Sequence, residues 1–248
     1  MEIQKNLRET IPPDYFTCPR KEMLSLIPLN CKTLLDIGCG AGVFGSLVKK
    51  MVGAEIWGID PSPSIVEIAP RVLDHFFNEF FSDKLDLPKF YFDVITFNDS
   101  LEHFPDPFPA LEVCRSLLKP GGIIVCSIPN VRYIENLKHL LLDMDWKYED
   151  SGIRDQTHLR FFTKKSIMRM FDEAGYKVES INGINQRYWW WNGKRFILVR
   201  VLLGKWFLDM NYLQFAVVAT PSNSSKFLPI LIVEVLASLF ILRIIPVS

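Results

Sequence analysis

The chain has 248 residues, of which 49% are hydrophobic and 23% are charged, so it is long enough for one domain with a full core. This composition excludes an intrinsically disordered chain and a bundle of membrane spans. Its 28 basic side chains balance 28 acidic ones, so no net field attracts the protein to nucleic acid. The 5 cysteines include no CxxC pair, and the N-terminus lacks a secretion signal. We therefore expect a cytoplasmic protein without a disulfide framework and without a bound metal.

The first regular pattern is an apolar run over 32–38 that ends in glycine and precedes helix-like spacing over 41–51. It predicts a strand, a tight turn and a helix. The same order recurs three times, at 54–59 before 62–73, at 92–97 before 106–118, and at 122–128 before 131–142. Strands that alternate with helices predict a parallel sheet covered on both faces. A further strand is expected within 74–91, although no clean period marks it.

Two later runs, 176–181 and 213–219, predict the last strands of the sheet. We therefore place one domain over 1–221, with a helical insert at about 187–210. The remaining residues, 222–248, form an apolar C-terminal tail.

The turn after the first strand combines an acid with three glycines, and it has the sequence Asp36-Ile37-Gly38-Cys39-Gly40-Ala41-Gly42. Glycines at this point let the backbone approach a ligand closely. Asp60 closes the second strand, where a carboxylate can accept hydrogen bonds from ribose hydroxyls. The two features together predict a nucleoside-containing cofactor. A dinucleotide fingerprint would need glycine where Val43 stands, which disfavours a nicotinamide enzyme.

The same turn, written DxGCGxG, resembles motif I of the class I S-adenosylmethionine-dependent methyltransferases. Residues 92–107 and 117–130 resemble that family's fourth strand with its loop and its fifth strand. The resemblance implies a methyltransferase domain over 1–221, built on a Rossmann-like, doubly wound sheet of seven mostly parallel strands whose last strand is antiparallel. It also implies that S-adenosylmethionine is the cofactor. The implied cofactor-binding residues are Asp36, Gly38, Cys39, Gly40, Gly42, Asp60, Asn98 and Asp99.

The sequence departs from that family after the third strand. An acid that usually binds the adenine amino group would align near Phe81, and the nearby Asp83 could take its role only after a shift. A solvated loop position is the alternative for Asp83. The adenine-binding residue is therefore left unassigned.

Residues 155–163, DQTHLRFFT, resemble a motif of bacterial methyltransferases associated with glycosyltransferases of surface-polysaccharide synthesis. This resemblance implies O-methylation of a sugar or a lipid-linked saccharide. Two alternatives stay open. One is O-methylation of a small aromatic or quinone-like acceptor, for which the LEH element at 101–103 is also familiar. The other is a catalytically silent, cofactor-binding partner of a glycosyltransferase.

Methyl transfer from a sulfonium mainly requires alignment, but a hydroxyl nucleophile must also lose a proton, and histidine titrates in the right range. His103 lies in the loop after the fourth predicted strand, and His158 lies in a polar loop between Asp155 and Arg160. We predict His103, His158 and Asp155 as catalytic residues. Arg160 is predicted to bind an anionic group of the substrate. Loop packing for His103 and a surface salt bridge for Arg160 are the structural alternatives.

Two segments raise the question of membrane contact. Residues 187–208 combine basic side chains with Trp and Leu and contain no acid, a composition that suits either an interfacial helix on anionic lipid or a helical insert over the substrate pocket. Residues 227–245 are mostly apolar but are interrupted by Glu234 and Arg243, so spanning is disfavoured relative to a helix on the membrane or on a partner. Peripheral membrane association through 187–208 and 227–245 therefore stays open beside these alternatives.

Overall fold

The computed structural model describes residues 13–186 and 204–222. Within this part of the chain, a single sheet contains seven strands in the order β3-β2-β1-β4-β5-β7-β6. Their bounds are β1 Thr33–Ile37, β2 Glu55–Ile59, β3 His75–Phe77, β4 Phe92–Asn98, β5 Leu118–Pro129, β6 Tyr176–Gln186 and β7 Tyr212–Pro221. The first five strands pair in parallel, and β7 lies antiparallel between β5 and β6. The predicted fold class is thereby confirmed.

Four α-helices accompany the sheet in the described residues: α1 Val43–Val52, α2 Pro107–Leu117, α3 Ile134–Leu141 and α4 Lys164–Glu173. Short 3-10 helices occupy Pro13–Thr17, Lys21–Leu26, Pro63–Ile65, Ala69–Arg71, Leu101–His103 and Gly204–Asn211. Side chains cap two of the α-helices at their first turn. Asp106 accepts from the backbone of α2, and Thr163 forms a capping box with Ser166 in α4.

The structure differs from the sequence prediction at three places. The helix expected over 62–73 is replaced by two 3-10 turns, because a proline inside a helix lacks the N–H that the ladder needs. The strand expected over 122–128 begins earlier, at Leu118, and its pairing with β4 is irregular over the added residues. The helix α4 was not predicted, whereas the strand expected within 74–91 is present as the short β3.

Both faces of the central strands β1 and β4 are buried, as expected for parallel strands covered by helices. Successive residues of β1 point to opposite faces. Leu34 joins a cluster with Val48 of α1 and Ile56, whereas Leu35 joins the other cluster with Ile95 and residues of α2 and α4. This packing holds the carboxyl ends of β1, β2 and β4 side by side, which is where ligands bind in open α/β sheets.

The predictions for the insert and the tail lie largely outside the described residues. Residues 187–203 and 223–248 are not described, and residues 204–211 form a 3-10 helix that leads into β7. The last strand ends at Pro221. In the described part of the chain, every helix is too short or too polar to cross a membrane.

Candidate active site

The glycine turn after β1 is shaped by contacts within the protein itself. Gly38 and Gly40 both have positive φ angles, of 80° and 52°. A Cβ at Gly38 would lie 2.5 Å from Cβ of Ser100, and one at Gly40 would lie 2.7 Å from the carbonyl oxygen of Phe16. That carbonyl also accepts a hydrogen bond of 3.0 Å from the backbone N–H of Ala41. Glycine is therefore required here even before a ligand is considered.

Asp60 joins the loops that follow β1 and β2. One carboxylate oxygen accepts from the backbone N–H of Gly40 at 3.0 Å, and the other accepts from that of Ser62 at 2.9 Å. The Asn78 amide, just after β3, donates to the carbonyl oxygens of Asp60 and Ser62. The predicted ribose-binding acid is thus fixed by the ends of three neighbouring strands, β1, β2 and β3.

Asp36 is buried inside β1, next to the same turn. The Thr96 hydroxyl donates to its carboxylate at 2.6 Å. Burial raises the pKa of Asp36 to about 7, against the opposing effect of that hydrogen bond, and the negative charge of Asp60 adds to the rise. A buried carboxyl that titrates near neutrality is therefore placed beside the glycine turn.

The N-terminal strap, residues 13–20, crosses the carboxyl edge of the sheet. The Tyr15 hydroxyl donates to a carboxylate oxygen of Asp155 at 2.7 Å, and the Arg20 guanidinium forms an ion pair with Asp99. Together with the contact between the Phe16 carbonyl and the glycine turn, these bonds attach the strap to the loop after β1, to the end of β4 and to Asp155.

The Asp99 carboxylate is held by side chains from three other parts of the chain. Its φ is 50°, a left-handed conformation that Asp tolerates better than most residues. The Ser127 hydroxyl donates to one carboxylate oxygen at 2.7 Å, and the Gln214 amide donates to the other, which also faces Arg20. The predicted cofactor contact therefore also joins the strap, β5 and β7.

Residues 151–160 fold back against the 3-10 helix after β4. The carbonyl oxygen of Glu102 accepts from the backbone N–H groups of Leu159 and Arg160, at 2.8 and 3.0 Å. The Arg160 side chain then turns outward, where its guanidinium donates to the carbonyl oxygen of Pro105 at 2.8 Å. These bonds bring the two predicted catalytic histidines together, with ring centroids 4.8 Å apart.

Asp155 acts on His103 through Thr157. The Thr157 hydroxyl donates to Asp155 at 2.6 Å, so its oxygen is an acceptor towards Nδ1 of His103, 3.1 Å away. The carbonyl oxygen of Thr157 lies at the same distance from Nδ1 and can only accept. In the neutral form of the His103 ring the hydrogen therefore lies on Nδ1.

The same reasoning applies to His158. Its Nδ1 lies 3.0 Å from the carbonyl oxygen of Ile153, so Nδ1 carries the hydrogen and Nε2 carries the lone pair. Burial lowers the pKa of His158, although this hydrogen bond opposes the change. The ring is consequently neutral at neutral pH.

Glu102 is a functional candidate that the sequence analysis missed. Its side chain is 0% exposed, and neither carboxylate oxygen has a hydrogen-bond partner among the described residues. The closer oxygen lies 3.7 Å from Nε2 of His158. Burial raises the pKa of Glu102 well above its usual range, and the charge of Asp99 raises it further. The sequence feature that could have indicated a role for Glu102 is its position just before the predicted catalytic residue His103.

One cavity of about 420 Å³ contains most of these groups. The predicted site residues that line it are Asp36, Gly38, Cys39, Gly40, Asp60, Asn98, Asp99, His103, Asp155 and His158. Gly42 is instead the N-cap of α1, with Leu73 against it, and the structure does not bring Arg160 into the cavity. The residues that line the cavity without having been predicted include Tyr15, Arg20, Glu102 and Thr157.

The family model of the methyltransferase domain matches residues 11–181, well over half of the chain. The chain belongs to this family. The methyltransferase is of class I, and its cofactor is S-adenosylmethionine.

Named relatives agree with this assignment. A ubiquinone biosynthesis O-methyltransferase of Histophilus somni is 37% identical to the methyltransferase over 167 residues, which cover 62% of this chain and 68% of that protein. One from Cereibacter sphaeroides is 26% identical over 181 residues, or 69% of this chain and 72% of that protein.

A solved structure shows the shared fold. The 1,6-didemethyltoxoflavin-N1-methyltransferase of Burkholderia thailandensis, solved with 1,6-didemethyltoxoflavin and S-adenosylhomocysteine, superposes with a TM-score of 0.56 at 16% identity. The match covers 85% of this chain and 82% of that chain.

Neither position considered for the acid that binds the adenine amino group lies in the cavity. Phe81 belongs to the hydrophobic core, where its ring packs edge-on against Phe97, and Asp83 is exposed. Asn78 is the polar side chain that directly follows β3.

Proposed function

We propose that this methyltransferase transfers the methyl group of S-adenosylmethionine to a hydroxyl oxygen of a small aromatic, quinone-like acceptor. The observation that carries the proposal is its 37% identity to a relative named ubiquinone biosynthesis O-methyltransferase. The cavity supports the proposal, because burial lowers the pKa of His158 and a neutral imidazole can accept the proton of an acceptor hydroxyl.

The cofactor lies along the ends of β1, β2 and β4 in this proposal. The backbone at Gly38 and Gly40 approaches the methionine part of the cofactor, and Asp60 accepts from the ribose hydroxyls. The ionised form of Asp36 favours the positive charges of the amino group and the sulfonium. Asn98 and Asp99 complete the wall between cofactor and acceptor.

The acceptor lies on the side of His103 and His158. The lone pairs on their Nε2 atoms make these rings the groups that act on the acceptor hydroxyl. Asp155 is a positioning residue, since it reaches His103 only through the Thr157 hydroxyl. The rate then depends on alignment with the methyl group and on removal of one proton.

A saccharide acceptor is the second candidate function. It is favoured by the segment 155–163, which resembles the methyltransferases associated with polysaccharide glycosyltransferases and which supplies Asp155, Thr157 and His158 to the cavity. Peripheral membrane contact through 187–208 and 227–245 would suit a lipid-linked acceptor of either kind.

Methyl-labelled S-adenosylmethionine distinguishes the two acceptor classes. The protein is incubated with a catechol-type aromatic series and, separately, with a lipid-linked saccharide extract, and the product is identified by mass. Label on an aromatic oxygen supports the proposal, whereas label on the saccharide alone replaces it with the second candidate. His158→Ala is expected to lower kcat by about 10²–10⁴ with unchanged cofactor affinity. The matched control is His139→Ala, on the exposed end of α3.

A further inference from the structure

A chain of hydrogen bonds connects the N-terminal strap with the acceptor side of the cavity. The Tyr15 hydroxyl donates to one carboxylate oxygen of Asp155 at 2.7 Å, and the Thr157 hydroxyl donates to the other at 2.6 Å. The same Thr157 hydroxyl lies 3.1 Å from Nδ1 of His103. These side chains come from three distant segments of the sequence, and all of them line the cavity.

The part of this chain beyond Asp155 is closely fixed. The carboxylate oxygen that accepts from the Thr157 hydroxyl also accepts from the Thr157 backbone N–H, at 2.7 Å. The carbonyl oxygen of Thr157 lies 3.1 Å from Nδ1 of His103. Asp155 and Thr157 are both buried, and hydrogen bonds in such surroundings are stronger and more costly to lose than those in water. The orientation of Asp155 is therefore transmitted to the His103 ring.

Tyr15 holds the side of Asp155 that Thr157 does not hold. In the described part of the chain, it supplies the hydrogen bond that the second carboxylate oxygen accepts. A carboxylate bonded at both oxygens is fixed in its plane, whereas one bonded at a single oxygen can turn about its bond to Cβ. Loss of the Tyr15 hydroxyl would leave Asp155 fixed on the Thr157 side alone.

Tyr15 is a donor in this chain and not a base. Burial raises the pKa of its hydroxyl above the ordinary value, and both the hydrogen bond to Asp155 and the charge of that carboxylate raise it further. The hydroxyl therefore keeps its proton at neutral pH. Its available role is to orient Asp155.

The backbone of Tyr15 is anchored on the cofactor side of the cavity by the next residue. The carbonyl oxygen of Phe16 accepts from the backbone N–H of Ala41 in the glycine turn, at 3.0 Å. The rings of Tyr15 and Phe16 also pack edge-on, with their centroids 5.2 Å apart. Tyr15 thus reaches Asp155 from a strap whose position is set by the glycine turn.

We propose that Tyr15 is a positioning residue for methyl transfer, whose hydroxyl holds Asp155 and, through Thr157, the His103 ring in the orientation that the acceptor hydroxyl requires. The inference rests on the proposed function, in which His103 acts on the acceptor. Tyr15 acts through Asp155 and not on the reacting atoms. Loss of its hydroxyl should therefore slow the transfer step and leave cofactor affinity unchanged.

NMR of the imidazole nitrogens tests this connection without any need for turnover. Tyr15→Phe removes the hydroxyl and keeps the ring that packs on Phe16. In histidine-labelled full-length protein at fixed pH, this change should move the His103 ring signals. The signals of His75 and His139, which have their own acidic partners away from the cavity, should stay in place.

Tyr91→Phe is the matched control, because it breaks the same kind of bond at another place. The Tyr91 hydroxyl donates to Glu55 at 2.7 Å, and the other oxygen of Glu55 lies 2.9 Å from Nε2 of His75. This variant should move the His75 signals, leave those of His103 in place and keep the native kcat.

Kinetics with an aromatic acceptor test the consequence for the reaction. Tyr15→Phe should lower kcat by about 10- to 100-fold, since misplacement of a reacting group by about 1 Å can cost about 100-fold. Thr157→Val, which removes the hydroxyl and keeps the shape, should have a similar effect, and Thr157→Ser should restore most of the rate. The double variant Tyr15→Phe/Thr157→Val should lose little more than the slower single variant, because both changes break one chain.

Several outcomes would overturn the proposal. They are a native kcat or native His103 signals in Tyr15→Phe, or losses that multiply in the double variant. Weaker S-adenosylmethionine binding at a native kcat would make Tyr15 a cofactor contact instead. Cooperative unfolding of Tyr15→Phe excludes misfolding as the cause of a lower rate. If the His103 signals move as expected but no aromatic acceptor is methylated, the proposed function fails and the connection from Tyr15 to His103 stands.

Discussion

Replacement of Asp36 by Asn should change how stability depends on pH. The carboxyl is 1% exposed, and burial raises its pKa from an ordinary 3.8 to about 7. The Asn side chain keeps an oxygen that can accept from Thr96 and cannot ionise. A tenfold change in an acid dissociation constant corresponds to about 1.4 kcal/mol. The difference between a pKa of 3.8 and one of about 7 therefore corresponds to at most about 4 kcal/mol of folding stability.

The sign follows from the direction of the pKa change. Below about pH 4 the Asp36 carboxyl is protonated in both the folded and the unfolded chain, so the native protein and the Asp36→Asn variant should have similar stability. Between about pH 4 and 7 the unfolded chain loses the proton and the folded chain keeps it, so native stability falls as pH rises. Asp36→Asn should therefore become more stable than the native protein, by an amount that grows up to about pH 7 and then stays constant.

Unfolding by guanidinium at about pH 4.5, 5.5, 6.5 and 7.5 measures this difference directly. Each free energy of unfolding must be known to about 0.5 kcal/mol. Asp74→Asn is the control of opposite sign, because the effect of burial on Asp74 is outweighed by hydrogen bonds from Lys49 and Ile56, which lower its pKa. That variant should lose stability relative to the native protein above about pH 4. A constant difference between Asp36→Asn and the native protein at all of these pH values would refute the reasoning.

Two further predictions concern the glycine turn and the tail. Gly40→Val and Asp60→Ala should each weaken S-adenosylmethionine binding by about 10- to 100-fold in calorimetry, since each disrupts the turn that Asp60 holds, whereas the exposed Asp83→Ala should not. Unchanged affinity in both variants would contradict the site. Deletion of 223–248 keeps the Ser222 bonds to Gly175 and should preserve cofactor affinity while reducing co-sedimentation with anionic vesicles. Aggregation of the truncated protein would instead show that the tail belongs to the core.

Much of the fold could be predicted because its signals are local. The apolar runs at 32–38, 54–59 and 92–97 each match a strand of the structure to within one residue at either end, since a strand buried on both faces needs only apolar residues over its own length. The antiparallel position of β7 was implied by resemblance and not by any residue in it. The helix α4 was missed, although Thr163 and the spacing of Ile167, Met170 and Phe171 carried a signal.

The acceptor side of the cavity depended on tertiary structure. Nothing near Glu102 in the chain marks it as buried without hydrogen-bond partners, because its surroundings come from β5, the strap and residues 151–160. The tautomers of His103 and His158 likewise follow from carbonyl groups that only the folded backbone brings to them. Composition and spacing report which groups a chain contains, whereas hydrogen-bond partners and desolvation are set by contacts between distant segments, and these decide what the groups can do.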